Sequence, residues 1–408
     1  MAHRLIGGAA ALRMANMNTK AAVFFLDKPM APTTVATMEP STKIEMLPAP
    51  VSAPGISMNT AIKASKIHLL WKRPTRFLVT VVIAPVAEYK LTNMDAATKS
   101  SAITYSDLLI EYGRTDDRIC VVEADLMASA STQRFQKLYP DRLINVGVAE
   151  ADMISVAAGL SAMGKIPFTH TFSAFATRRC CDQVTISVAY AGLNVKMVGS
   201  DPGISAELNG GTHMSFEDVA IMRNIPGMIV FEPVDSVQFR KVFPQIISHY
   251  GPVYIRLFRK NAWSVYDNHD SFQLGRGTML RRGKDVTIVA SGIMVKEALD
   301  AAESLAMDGI DSEVINIHTI KPLDREMILE STSKTRCCVT AENASVINGL
   351  GSAVSDCVTN EKPCPVLKIG VQDRFGEVGK LDYLRKELHL TAADIIRKTK
   401  EAIALKNV

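Results

Sequence analysis

Hydrophobic and polar positions divide this chain into two unlike stretches. From Met94 onward, short apolar runs alternate with amphipathic ones. Residues 101–112 have helical spacing, 118–123 (RICVVE) form a compact apolar run suited to a buried strand, and 149–163, rich in Ala, Met, Val and Leu, read as a buried helix. Residues 195–199 predict a strand followed by a glycine-rich loop, and 228–231 and 253–257 predict strands around a helix at 235–247. A polar connector follows at 258–284, with GRG at 275–277. Beyond it come a strand at 285–290 (DVTIVA), an amphipathic helix at 294–307, strands at 313–317 and 336–341, a helix at 350–358 and a strand at 366–370. Strands alternating with helices imply parallel sheets covered by helices. The expectation is therefore α/β: two parallel-sheet domains, 94–274 and 275–408, with the boundary in the connector.

Residues 1–93 lack such periodicity and are rich in Met, Ala, Pro, Thr and Ser. They hold eleven Lys or Arg against four Asp or Glu, a net of +7, which leaves −3 for the rest of a chain whose total is +4. A basic, acid-poor leader is compatible with an organellar transit peptide. It is equally compatible with a translation start set too early, or with a small extra module. The folded part is near neutral and does not read as a nucleic-acid surface. The longest apolar run, 77–87, is about half the length a bilayer requires and contains Pro85. A cytoplasmic protein is expected, organellar if the leader is a transit peptide. The seven cysteines include the adjacent pairs Cys180–Cys181 and Cys337–Cys338 but no CxxC and no zinc spacing. Free thiols, mostly buried, in a reducing compartment are the expectation.

Four stretches could carry chemistry. In NVGVAEADM (145–153), Glu150 stands where a strand gives way to a helix. A carboxylate there complements the helix dipole. Its downstream neighbours are apolar or small, so it also enters a poorly hydrated site, where its pKa rises unless a basic partner is supplied. THTFSAFATRRCCDQ (169–183) sets Phe172 and Phe175 three residues apart, followed by Arg178 and Arg179: either a helix start with core anchors or an apolar wall for a planar ligand with cations at hand. DPGISAELNGGTHMSFED (201–218) is a loop with three glycines and His213, placed after a strand, where parallel sheets bind ligands. It matches neither phosphate-binding glycine motif. YIRLFRKNA (254–262) closes a strand with Arg256 and Arg259, which alternation puts on opposite faces; at most one serves the same site.

Together these segments resemble the pyrimidine-binding and C-terminal domains of transketolase across about residues 99–403. NVGVAEADM is similar to the family's G-(I/V)-x-E motif, the Phe172–Phe175 segment to the aromatic stretch that packs on the cofactor ring, and GGTHMSFED to the family's G-P-T-H-Q loop. VTAENASVINGLGSAV (339–354) closely resembles the C-terminal-domain signature. The resemblance implies thiamine diphosphate as cofactor. Glu150 would hydrogen-bond the pyrimidine N1′ and favour the imino tautomer, whose nitrogen takes the thiazolium C2 proton. Phe175 would stack on the pyrimidine with Phe172 beside it, and Asp125 and Leu126 match a D-L pair lining the cofactor pocket. His213 matches a His that assists proton transfer at cofactor or substrate. Arg259, rather than Arg256, matches the Arg that holds the sugar phosphate.

Two departures bear on substrate. Asn209 stands where the family usually has Asp, and Asp201 where it often has His; both positions touch sugar hydroxyls. They put the standard pentose-phosphate donors in doubt and leave room for another phosphorylated or branched ketose. The sequence also contains no Gly-Asp-Gly of the G-D-G…N motif that binds the divalent metal in full-length transketolases. The expectation is the C-terminal subunit of a split transketolase. It would join a pyrophosphate-domain subunit, which holds Mg or Ca, in an α2β2 assembly or around a homodimer core. Alternatives are the β subunit of a 2-oxo acid dehydrogenase E1 component, which would decarboxylate a 2-oxo acid, and a non-catalytic relative that binds a partner. A 1-deoxyxylulose-5-phosphate synthase fits less well, because that family is usually one long chain.

Overall fold

The computed structural model describes residues 100–260 and 263–406, together with three segments nearer the start. Residues Met1–Thr92 and Asn93–Val408 form separate units. In the first, β1 (Ala21–Leu26), β2 (Ile67–Trp71) and β3 (Phe77–Val82) pair antiparallel in the order β1-β3-β2. These strands carry no sustained periodicity in the sequence. AAVFFL, IHLLW and FLVTVV are short apolar runs, and a run without alternation has no period to detect.

The second unit holds both α/β sheets. The first is built from β4 (Ile119–Glu123), β5 (Leu143–Asn145), β6 (Ile166–Phe172), β7 (Lys196–Ser200), β8 (Ile229–Phe231) and β9 (Val253–Leu257). The second comprises β10 (Thr278–Arg281), β11 (Val286–Ala290), β12 (Ser312–Asn316), β14 (Cys338–Ser345) and β15 (Val366–Val371). A short β13 (Thr319–Lys321), although it lies after the connector in sequence, pairs antiparallel with β8. The sheet orders are β13-β8-β9-β7-β6-β4-β5 and β10-β12-β11-β14-β15. Each sheet is thus parallel except for one antiparallel edge strand, β13 in the first and β10 in the second. The two expected parallel-sheet domains are present, each with one antiparallel edge strand, and β13 stitches the second half of the chain to the first sheet.

The central strands β4, β7, β9 and β11 are buried along their whole length, and β4 and β11 are accordingly mostly apolar runs. Helix 101–113 starts on Ser100, whose hydroxyl accepts from the Ile103 N–H, and helix 236–248 starts on Asp235, whose carboxylate accepts from the Gln238 N–H. One core cluster joins Met222, Ile225 and Val230 of the first half to Ile317, Ile320 and Ile328 of the second. The seven cysteines are free, and five are buried. Burial pushes the Cys180 thiol up to about 12, so it is no ready nucleophile. Among the described residues no helix is long and apolar enough to cross a membrane.

Candidate active site

The candidate residues gather at the carboxyl ends of the first sheet's strands. Register explains this: Phe172, the last residue of β6, lies opposite Ser200, the last of β7, and Ser200 lies opposite Leu257, the last of β9. The residues that follow these strands therefore meet on one rim. Asp201 follows β7, Arg259 follows β9, Asp125 follows β4 and Glu150 follows β5 after a short loop.

Glu150 is the first residue of the helix Glu150–Ala162 and is 3% exposed. A basic partner is supplied: Arg179 Nη1 donates to Glu150 Oε2 at 2.8 Å. The Arg179 guanidinium also lies over the Phe175 ring, 3.9 Å from its centroid. Phe172, Phe175 and His213 form a three-ring cluster, with centroids 6.2 Å apart for the two Phe and 5.6 and 5.1 Å from each Phe to His213. All three rings are half-buried and meet edge to face. His213 Nδ1 shares a hydrogen bond with the Thr212 hydroxyl at 2.9 Å. The two Phe are not anchors on one helix: Phe172 ends β6, and the helix after it is the single turn Ser173–Ala176.

Arg259 extends the cluster. Its guanidinium carbon is 5.9 Å from the Phe172 centroid, and its Nε donates to Asp201 Oδ2 at 2.5 Å. Asp201 is 1% exposed and has φ 50°, and its other oxygen, Oδ1, is buried without a partner. Burial raises the Asp201 pKa, with Arg259 pulling it back down. Arg256 does something else. It is fully buried, with its guanidinium on Asp218 (2.8 and 3.2 Å), Glu232 (2.5 Å) and the Asn343 carbonyl (2.6 Å). Every face of that group is taken up inside the protein, so it offers nothing to a ligand.

Asp125, exposed and with φ 61°, is fixed by Asn145, whose Oδ1 accepts from the Asp125 and Gly147 N–H groups at 3.0 and 3.1 Å. Leu126 is half-buried beside it. Asn209 is exposed at the end of the 3-10 segment Gly203–Asn209, and the ring and ion-pair contacts that join the other residues do not reach it.

Sequence reasoning missed three features. The first is the Glu150–Arg179 pair, although Arg179 had been singled out as a nearby cation. The second is a buried chain of side chains behind the rim. The Thr132 hydroxyl donates to Glu123 at 2.5 Å, Glu123 meets His170 Nδ1 at 3.0 Å, and His170 Nε2 meets the Ser200 hydroxyl at 3.1 Å, one residue before Asp201. The third is the work done by the C-terminal signature. Asn343 holds the loop that follows β7: its Oδ1 accepts from Ile204 N–H at 3.0 Å and its Nδ2 donates to the Pro202 carbonyl at 2.9 Å. A Cβ on Gly203, which has φ 56°, would fall 2.3 Å from Asn343 Oδ1. Beside it, Glu342 caps helix Leu350–Glu361 by accepting from the Leu350 and Gly351 N–H groups at 2.7 and 2.8 Å. Burial pushes its pKa up to about 7.

A buried carboxylate, a ring wall and an ion-paired arginine on the rim of a parallel sheet, with a second α/β domain clasping the rim loop, define a two-domain ligand-binding α/β protein. The comparisons make the class particular. Residues 99–263 match the transketolase pyrimidine-binding domain, and residues 275–395 match the transketolase C-terminal domain. The chain is 63% identical over 304 residues to the 6-deoxy-6-sulfo-D-fructose transketolase subunit SqwH of Clostridium sp. strain MSTE9, covering 74% of this chain and 94% of that protein. It is 41% identical over 300 residues to a transketolase C-terminal section of Methanocaldococcus jannaschii, covering 73% of this chain and 94% of that protein. Among solved structures it resembles a split-gene transketolase described as an inactive beta4 tetramer, with TM-score 0.70 and 42% identity over 76% of this chain and 99% of that one. The chain belongs to the transketolase family. Family membership implies a transferase that uses thiamine diphosphate.

The residues present fit the pyrimidine end of that cofactor. A flat nitrogen-edged group already lies over Phe175 with its edge on the Glu150 carboxyl, in the shape of the Arg179 guanidinium. The two residues thus accept the kind of group an aminopyrimidine is.

Proposed function

We propose that this chain is the C-terminal subunit of a split transketolase. A separate subunit carries the pyrophosphate domain and holds the divalent metal, and the two form an α2β2 assembly. In this reading residues 1–93 are a leader, 94–274 the pyrimidine-binding domain and 275–408 the C-terminal domain. The pair moves a two-carbon ketol unit from a ketose to an aldose. The observation that carries the reading is the meeting of Glu150, Phe172, Phe175 and His213 on one rim with the Asp201–Arg259 pair. Support for a split chain comes from relatives named as a subunit, a C-terminal section and a split gene, which this chain covers over 94%, 94% and 99% of their length.

Bound thiamine diphosphate supplies the electron sink for carbon–carbon cleavage. Glu150 would share a proton with the pyrimidine N1′, donating to the amino form and accepting from the imino form. Phe175 and Phe172 hold the ring plane, and Asp125 and Leu126 line the pocket edge. His213 stands 5.1 Å from Phe175, ring centre to ring centre, where it can move a proton to or from the donor's oxygen. The Asp201 Oδ1, buried and unpartnered, accepts from a donor hydroxyl, and Arg259 takes the donor's anionic end through its two terminal nitrogens. Asn209 contributes from the loop edge. The donor is a ketose with an anionic terminal group, sulfonate or phosphate. The sulfonate follows the name of the 63% identical relative.

The test is reconstitution. The chain alone, and the chain with the pyrophosphate-domain subunit, are assayed for ketol transfer from 6-deoxy-6-sulfo-D-fructose, fructose 6-phosphate and xylulose 5-phosphate. Transfer by the pair alone is expected. Full turnover by the lone chain, or no transfer by the pair from any donor, would sink the proposal.

A further inference from the structure

Resting on the reading that Glu150 and Phe175 take the cofactor's aminopyrimidine, we propose that Arg179 holds the aminopyrimidine's place, so that cofactor binding must displace its guanidinium. The geometry is that of a stand-in. A guanidinium is a flat nitrogen-edged group, and so is an aminopyrimidine: each can lie over an aromatic ring while an edge nitrogen shares a proton or hydrogen bond with a carboxyl group. Arg179 makes both contacts at once, its guanidinium carbon 3.9 Å from the Phe175 ring centroid and one N–H on Glu150 Oε2 at 2.8 Å. Two flat groups cannot occupy one face of one ring at the same time.

Glu150 has reason to keep such a partner. At 3% exposure, an unpaired carboxylate carries a large desolvation penalty. Arg179 has reason to leave easily. Its side chain is 45% exposed, so it exchanges the ion pair for water at small cost. Its backbone is not locked in a regular helix. Thr177 sits at φ −117°, ψ −82°, residues Arg178–Cys180 form a single 3-10 turn, and Gln183–Tyr190 continue as an eight-residue π-helix. π-Helical turns are rare and recur at functional sites. Arg178, the adjacent cation, is committed elsewhere, to Glu217 at 2.9 Å and the Thr212 carbonyl at 2.5 Å, so it does not replace Arg179 on Glu150. Arg179 is thus a positioning residue. It orients Glu150 and sets the threshold for cofactor entry.

The experiment uses the chain assembled with its pyrophosphate-domain partner. Thiamine diphosphate with Mg²⁺ is titrated by calorimetry into wild type, Arg179→Met and Arg179→Lys. Arg179→Met removes the competing ion pair and the stacked cation and is expected to tighten cofactor binding about tenfold. Arg179→Lys keeps charge but not the plane and falls between. The cofactor-free Arg179→Met complex is expected to melt below wild type, because Glu150 loses its partner. The loaded complexes melt together, so the cofactor-induced rise is larger in the variant. Unchanged or weaker binding by both variants overturns the stand-in. Turnover of Glu150→Gln at saturating cofactor keeps the two failures apart. If that variant turns over like wild type, the pyrimidine reading itself is wrong. If it is dead and Arg179→Met binds no tighter, only the stand-in fails.

Discussion

Arg256 and Arg259 lie three residues apart on one strand end, and the structure assigns them opposite work. Consider Arg256→Met, which keeps the length of the stem and removes the guanidinium. The wild-type group is fully buried among Asp218, Glu232 and the Asn343 carbonyl. Burial works against its charge, but Asp218 and Glu232 more than offset that, and its pKa is raised. Without it, Asp218 keeps only the Tyr254 hydroxyl at 2.8 Å, and Glu232 only the Ser291 hydroxyl at 2.8 Å. Removing one side of a buried pair costs about 3–5 kcal/mol, because the other charge is left uncompensated. Unfolding entropy near 2.1 cal/mol/K per residue gives about 0.6 kcal/mol/K for a body of roughly 300 residues. A loss of about 4 kcal/mol therefore lowers Tm by about 6 °C.

The location of the loss is as telling as its size. Asn343 and Ser291 belong to the second sheet's domain, while Arg256, Asp218 and Glu232 belong to the first. The variant should loosen the joint between them, broadening a single calorimetric transition or splitting it in two. Arg259→Met, by contrast, removes a partly exposed group paired with Asp201 alone. Because Asp201 is buried and loses its partner, Tm should fall by a few degrees here too, and the distinguishing effect is a KM for an anionic ketose raised at least about tenfold. Calorimetry and donor kinetics on the reconstituted pair read both. An Arg256→Met variant with wild-type Tm and a raised donor KM, beside an Arg259→Met variant with normal KM, would refute the assignment.

Two further outcomes are expected. Glu150→Gln keeps the side chain's shape and an oxygen for Arg179 but cannot be a proton partner. Turnover should fall by roughly 10²–10⁴ with Tm within a few degrees of wild type, and wild-type turnover would exclude the role. His318 is fully buried between Phe231 and Phe272, 5.7 and 6.1 Å away, and burial lowers its pKa to about 4. It is neutral in the fold and takes a proton in the unfolded chain below about pH 6.5. The stability it contributes is therefore present above that pH and lost as pH falls toward 4, about 3 kcal/mol in full. His318→Phe should flatten the acid limb of urea stability between pH 6.5 and 4, and an unchanged slope would count against this account.

How much of this was open to a reader of the sequence follows from what each element depends on. The central strands were legible because a strand buried on both faces is mostly apolar, as ICVV in 119–122 and VTIVA in 286–290 are. Strand β6, IPFTHTF, was not read as a strand. Thr169, His170 and Thr171 are buried in it, and His170 tolerates this only through Glu123 and Ser200, 47 and 30 residues away. No local pattern announces partners that distant. The same holds for the site. Glu150, Phe175, His213 and Arg259 could each be singled out by residue type and by position after a strand. The contacts that define them, Glu150 with Arg179 and Asp201 with Arg259, span 29 and 58 positions and exist only once the strand order brings the loops together.

Those contacts change what the residues mean. Read singly, Arg178, Arg179, Arg259 and Lys260 make a basic rim suited to any anion. In the fold each is paired: Arg178 with Glu217, Arg179 with Glu150, Arg259 with Asp201 and Lys260 with Glu207. The rim this chain presents is close to electrically balanced. Under the proposed reading, the donor's anionic end then gains from directional hydrogen bonds to the terminal nitrogens of Arg259, held in place by Asp201, more than from an excess of positive charge. Discrimination built that way depends on the shape of the anionic group and on the hydroxyl that meets Asp201 Oδ1, and it is screened little by salt. A donor KM that climbed steeply with ionic strength would place the selecting charge outside these four pairs, on the partner subunit.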